Sequence, residues 1–272
     1  MEKFYEPGKT EAEAFKRLTD IMAYLRSPEG CPWDRAQTHD SLKTCLIEEA
    51  YEVIEAIDNR DPDNLEEELG DLLLQVIFHG QIAELNGEFD LTKIANREAD
   101  KMISRHPHVF VNKNSEGIDK AIEKWENMKR KEKNINTYTE SMKRIPKVLP
   151  ALMKSYKIQK KAANAGFDWD DIKDAFKKIL EETDELLEVY KGDDRRKIED
   201  EVGDILFAAV NVARFLKVNP EEALNASSEK FIRRFSYIEE TAAQQGRQLE
   251  EMSLEEMDAL WEKAKLVLEN RI

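Results

Sequence analysis

Apolar residues recur along this chain at intervals of three and four almost from end to end, the spacing that lines one face of a helix. Leu46, Ala50, Val53 and Ile57 make one such stripe, and Leu65, Leu69, Leu72 and Val76 make the next. Between them "DNRDPDN" (58–64) reads as a turn, with Asp61 placed to cap the second helix and Pro62 at its first position. Gly87 marks where that helix ends. The same spacing predicts further helices near 11–26, 91–105, 117–132, 149–163, 172–190, 194–217, 220–240 and 254–270. No segment sustains the alternation of a strand, so the expected fold is all-α.

The pattern is written twice. "EEAYE" (48–52) returns as "EETDE" (181–185), and "ELGD" (68–71) returns as "EVGD" (201–204), both displaced by 133 positions. Trp33 pairs with Trp169 and Trp125 with Trp261 at a displacement of 136, and Asn96, Lys101 and Arg105 pair with Asn225, Lys230 and Arg234 at 129. Small differences in displacement are what loop insertions produce, so the chain is read as a tandem duplication of helical bundles. The seam falls in the polar, proline-closed stretch 129–150, which predicts domains at 1–136 and 148–272 joined by residues 137–147.

The polar positions carry the chemistry. Residues three apart on a helix share a face, so Glu49 projects with Glu52, and Glu68 with Asp71. Both pairs lie beside the apolar stripes, and antiparallel packing of the two helices would bring the four carboxylates together. Glu182, Glu185, Glu201 and Asp204 repeat the set, with Glu48 and Glu181 alongside as fifth members. A solvated acidic face is the ordinary use of such spacing. Here the spacing is duplicated and abuts the expected core, where crowded carboxylates repel and lose hydration unless a cation joins them. An all-oxygen ligand set favours a hard ion, Mg²⁺ first and Mn²⁺ second. None of the four histidines stands three after a glutamate, which argues against a di-iron centre. Gly70 and Gly203, one before each aspartate, suggest a close helix contact or the approach of a ligand.

A carboxylate-held Mg²⁺ with free coordination places commonly binds phosphate. Lys101 with Arg105, and Lys230 with Arg234, are four apart on their helices and could clamp a phosphate chain. Trp125 and Trp261 could stack on a base or simply pack. Cys31 and the His106–His108 pair read as structural, and neither a P-loop nor a dinucleotide fingerprint is present.

Composition narrows the partners. The net charge of −15 disfavours a groove for a nucleic-acid polymer. The N-terminus lacks the apolar core of a signal peptide, and no apolar run approaches a membrane span. Two cysteines provide no disulfide framework, so a cytoplasmic location is expected.

These residues resemble the MazG nucleoside triphosphate pyrophosphohydrolases in their full-length two-domain form. The matching stretches are "CPWDRAQTHDSL", "EEAYEVIEAI", "ELGDLLLQVIFHGQIA", "RHPHVF", "KIQKKAANAGFDW", "EVGDILFAAVNVARFL" and "EKFIRRF". The resemblance implies tandem all-α MazG domains forming a homodimer. It also implies Mg²⁺-dependent cleavage of NTPs and dNTPs between the α and β phosphates, releasing NMP and pyrophosphate, as nucleotide-pool house-cleaning. By motif, Glu49, Glu52, Glu68 and Asp71 would hold metal in the first domain, and Glu182, Glu185, Glu201 and Asp204 in the second. Lys178, Lys197, Lys230, Arg234 and Trp261 match nucleotide-contacting positions. Glu48 and Glu181 lie beside the ligands without being needed as such and are the candidates for orienting the attacking water.

Two other readings stand beside this one. A non-catalytic metal-stabilised scaffold or nucleotide sensor would release nothing, and a phosphatase of the terminal phosphate would release orthophosphate. The two repeats are also expected to be unequal. Lys178 and Lys197 each stand four before a ligand in the second, where the first has Cys45 and Asn64, with Lys93 or Arg97 as its nearest substitutes.

Overall fold

A computed structural model describes residues 4–111 and 135–269, together with 117, 124, 125, 128 and 132. The helix expected near 117–132 lies for the most part outside the described residues. The chain divides into two compact units, Met1–Lys129 and Arg130–Ile272. Every regular element among the described residues is helical.

In the first unit the helices are α1 (Glu11–Leu25), α2 (Pro32–Ala36), α3 (Lys43–Asn59), α4 (Pro62–Leu85), α5 (Leu91–Arg105) and α6 (Pro107–Phe110). Asp61 caps α4 as its position predicts, its side chain accepting from the amides of Asp63 and Asn64 at 3.2 and 3.1 Å. Arg60 takes a left-handed conformation at the end of α3, and this two-residue turn folds α3 back on α4 as an antiparallel pair. Met22, Leu42, Ile77, Phe78 and Ile82 form the core, with α1 and α5 contributing Leu18, Leu25 and Leu91 at its margin. At Gly80 a Cβ would lie 2.5 Å from a methyl of Leu91, so α5 packs closely on α4 there and a larger residue would have to displace the Leu91 side chain.

The second unit comprises α7 (Tyr138–Lys143), α8 (Ala151–Ala163), α9 (Ile172–Val189), α10 (Arg195–Phe215), α11 (Pro220–Gln244) and α12 (Leu254–Glu269). The α9–α10 pair repeats α3–α4, and α8 and α11 pack against it. Residues 137–147, expected as connection, hold α7, which rests on α8 with Ser141 and Ile145 buried. A second core gathers Ile238, Ala242, Met252 and Leu260 between α11 and α12.

The stripes read as core prove to be only partly covered. Ile57, Leu69 and Val76 are 55%, 49% and 41% exposed. The uncovered face extends to Ile47, Ile54 and Leu73 and is duplicated at the 133 displacement as Leu180, Leu187, Val202 and Leu206, all exposed. Periodicity locates an apolar face without saying whether the same chain covers it. Burial within each pair falls instead on Ala56, Ile77, Phe78 and Ala83 of the first and on Ala175, Ala208, Val210 and Val212 of the second.

Candidate metal centre

In each repeat, carboxylates reach one another across the antiparallel pair. Glu49 from α3 meets Glu68 and Asp71 from α4, with one oxygen of each lying within 4.8 Å of the others. Glu182 from α9 meets Glu201 and Asp204 from α10 in the same way. Glu52 and Glu185 stand at the edge of these triads, within hydrogen-bonding reach of Glu49 and Glu201 respectively.

The electrostatics are those of crowded carboxylates that could hold a cation. The Glu49 carboxyl is raised above its ordinary value by partial desolvation first, then by repulsion from Asp71 and Glu52, while Gln75 donates to it at 3.4 Å and opposes the rise. Desolvation, then Glu52, Glu67 and Asp71, raise Glu68. Glu201 rises by desolvation, then by Glu185 and Asp204, and its Oε2 is buried without a hydrogen-bond partner. An orphaned carboxylate oxygen facing other acids is costly unless a cation completes it. The donor set is all oxygen, which fits a hard divalent ion.

The second site carries its own cation. Lys178 Nζ lies 2.7 Å from Glu181 and 2.5 Å from Glu182, and Glu182 is 5% exposed. Both carboxylates raise the lysine above its ordinary value. Cys45 at the matching position of α3 offers no charge. Lys178, Glu182 and Asp204 also line a cavity of about 710 Å³ bounded by Phe167, Trp169 and Asn211. Of these three, Trp169 alone carries a signal in the sequence, through its pairing with Trp33, and Phe167 and Asn211 carry none.

The remaining candidates fall elsewhere. Glu48 is exposed, and Glu181 is held by Lys178. Lys197 and Lys230 are exposed on α10 and α11. The Arg234 guanidinium sits 5.3 Å from the Trp261 ring centre, and Arg105 sits 5.3 Å from that of Trp125, so cation–π packing is duplicated as well. Lys101 pairs with Glu98 on its own helix. Gly70 and Gly203 make no close helix contact, since a Cβ at either would meet nothing within 4 Å. The tight crossing is at Gly80, and the glycines among the acids border open space instead.

His106 ends α5 and begins α6, its Nδ1 within 2.7 Å of the Met102 carbonyl oxygen, in keeping with a structural role. Both cysteines are free. No helix among the described residues is long and apolar enough to cross a membrane.

Comparison with known proteins places these pairs in context. The family model described as "MazG nucleotide pyrophosphohydrolase domain" matches residues 37–110 and again 171–238, which hold the two carboxylate sets. A Thermotoga maritima protein named nucleoside triphosphate pyrophosphohydrolase/pyrophosphatase MazG is 47% identical over 92% of this chain and 95% of its own. An Escherichia coli K12 protein named nucleoside triphosphate pyrophosphohydrolase is 42% identical over 92% of this chain and 96% of its own. Bacillus subtilis YabN, named only as uncharacterized, is 49% identical over 92% of this chain and 51% of its own.

Proposed function

This chain belongs to the MazG nucleotide pyrophosphohydrolase family, and from that premise we propose that it hydrolyses nucleoside triphosphates, NTPs and dNTPs alike, to the monophosphate and pyrophosphate with Mg²⁺ or Mn²⁺. The observation that carries the reading is the duplicated carboxylate triad, with the orphaned Glu201 oxygen and a lysine at its side. In each repeat, Glu49, Glu52, Glu68 and Asp71, or Glu182, Glu185, Glu201 and Asp204, would hold the ion. When bound, such an ion polarises the α-phosphate and neutralises charge on the departing pyrophosphate.

The chain's own residues do the rest. Lys178 neutralises Glu181 and Glu182 in the free protein and turns to the phosphate chain when a divalent cation takes its place. Lys197, Lys230 and Arg234, with Lys101 and Arg105 in the first repeat, supply further positive charge, and Trp261 and Trp125 brace the arginines. The water oxygen bonds to the α-phosphorus, and the bridge to the β-phosphorus breaks with its electron pair leaving on pyrophosphate. The water proton passes to Glu181, or to Glu48 in the first repeat. The second repeat is the stronger site because Lys178 and Lys197 have no charged counterparts in the first.

The two repeats act as domains of 1–136 and 148–272, and the protein works in the cytoplasm at nucleotide-pool house-cleaning. It is a homodimer. Corresponding exposed apolar faces on α3–α4 and α9–α10 suit two-fold association, in which each face meets its own kind. The test is a panel of NTPs and dNTPs with Mg²⁺, analysed for monophosphate, pyrophosphate and orthophosphate. Equal monophosphate and pyrophosphate support the reading, while orthophosphate alone would indicate a terminal phosphatase. Binding without any product would indicate a sensor.

A further inference from the structure

We infer that Gln75 is a ligand of the first carboxylate set, its amide oxygen joining Glu49, Glu68 and Asp71. This extra oxygen gives the first set a preference for a larger divalent ion, Ca²⁺ over Mg²⁺, that the second set lacks. That assignment rests on the metal reading above and adds how the two sets differ in the ion they take.

Glu68, Asp71 and Gln75 stand three and four apart on α4, so they rise in successive turns of one face. Gln75 is 7% exposed, and its Nε2 donates to Oε1 of Glu49 on α3 at 3.4 Å. The Gln75 Oε1 is buried with no hydrogen-bond partner. A buried amide oxygen left unpaired is costly. The torsion that orients a glutamine amide has two broad wells half a turn apart, so rotation brings the oxygen to the place the nitrogen holds, facing Glu49. In the metal-free protein the nitrogen is the better end to present, because it meets a carboxylate. With a cation among the acids the preference reverses, and the unpaired oxygen gains a partner.

The size of the ion decides how much that oxygen is worth. Calcium takes about six to eight oxygens in loose geometry, amide carbonyls among them, whereas magnesium requires a near-ideal octahedron and parts with its waters reluctantly. An added protein oxygen therefore finds room on Ca²⁺ but must displace a firmly held water on Mg²⁺. The gain goes to the larger ion.

The second set has no such donor at the matching place. At the 133 displacement Gln75 becomes Ala208, which is 6% exposed and carries no polar side-chain atom. The buried glutamine of the second unit, Gln159, comes from α8 and donates to the Phe207 carbonyl oxygen at 2.7 Å instead of to a carboxylate. Lys178 adds a separate difference, since its ammonium holds Glu181 and Glu182 and must give way to an ion, while Cys45 stands at the matching place of the first set. That competition weakens both ions alike. Gln75 separates them.

The test titrates each set alone. In the full chain, Glu182→Gln with Asp204→Asn leaves the first set intact, and Glu49→Gln with Asp71→Asn leaves the second. Each variant is titrated with Ca²⁺ and with Mg²⁺ by isothermal calorimetry without nucleotide. The combination of all four replacements supplies the background, and circular dichroism checks folding. The ratio of Ca²⁺ to Mg²⁺ affinity should be about tenfold or more higher at the first set than at the second. Adding Gln75→Met to the variant with the first set intact keeps the volume and removes the oxygen. It should weaken Ca²⁺ about tenfold or more while Mg²⁺ stays within about threefold. Gln75→Ala takes its place if the methionine variant does not fold. A glutamine that only orients Glu49 would weaken both ions by the same factor. Equal ratios at the two sets would overturn the inference, as would a Gln75 variant that lowers both affinities equally or neither. Pyrophosphate release from NTPs alongside equal ratios would remove this inference alone. A Gln75-dependent Ca²⁺ preference without any NTP hydrolysis would remove the enzymatic reading alone.

Discussion

Replacing Lys178 by methionine, which keeps the stem and removes the charge, should destabilise the metal-free protein and matter much less once Mg²⁺ is bound. The ammonium lies 2.7 Å from Glu181 and 2.5 Å from Glu182. Glu182 is 5% exposed, so its carboxylate loses a partner that water cannot fully replace. Removing one member of a fully buried pair costs about 3–5 kcal/mol, while exposed pairs are worth under about 1 kcal/mol. The Lys178 side chain is 36% exposed, which screens the pair and brings the expectation to about 1–3 kcal/mol. An ion held by Glu182, Glu201 and Asp204 would supply the missing charge, and the difference should then fall below about 1 kcal/mol. The assay is urea unfolding of the full chain, wild type and Lys178→Met, followed by circular dichroism in EDTA and in excess Mg²⁺. Equal destabilisation under both conditions would refute the reasoning, because the lysine and the ion could not then be neutralising the same acids.

In the full chain, Glu182→Gln with Asp204→Asn should cut NTP hydrolysis by about 100-fold or more, since charge stabilisation by a bound ion is worth several kcal/mol. Glu49→Gln with Asp71→Asn should cost only a few-fold, roughly, and the reverse ranking would move the working site to the first repeat. Glu49 and Glu201 have raised carboxyl pKa values, so their contribution to metal-free stability is fullest below the unfolded value and is lost as pH rises through the folded one. Because the ion competes with protons there, the rise in melting temperature given by Mg²⁺ should be larger at about pH 8 than at about pH 5, and a flat pH dependence would contradict it. Leu73→Glu with Leu206→Glu places charge on both duplicated faces, each buried leucine being worth about 1.5–3 kcal/mol. That variant should halve the mass seen by light scattering, and a wild type already monomeric would remove the dimer.

Much of this was legible in the sequence because helices repeat on a period that side chains obey. The capping of α4 by Asp61, the antiparallel pairs and the convergence of Glu49 with Glu68 and Asp71 all follow from local spacing. Two kinds of feature were not legible. Whether an apolar stripe is covered depends on what packs there, so Leu69 and Ile57 read as core and stand exposed. Close approach depends on which helices cross, so Gly70 drew notice by its acidic neighbours while Gly80 carries the crossing at Leu91. The cavity beside the second carboxylate set was not legible for a third reason, since its lining gathers Phe167, Trp169, Lys178 and Asn211 from separate segments of the chain.

The central claim is that the duplicated carboxylates serve cleavage between the α and β phosphates. It is tested most directly by incubating the full chain with an NTP and Mg²⁺ in ¹⁸O-labelled water and locating the label. The account predicts one labelled oxygen in the nucleoside monophosphate, unlabelled pyrophosphate in equal amount, and no orthophosphate, with all turnover lost when Glu49, Asp71, Glu182 and Asp204 are replaced together by their amides. Label in pyrophosphate or orthophosphate, or full activity in that amide variant, would contradict it.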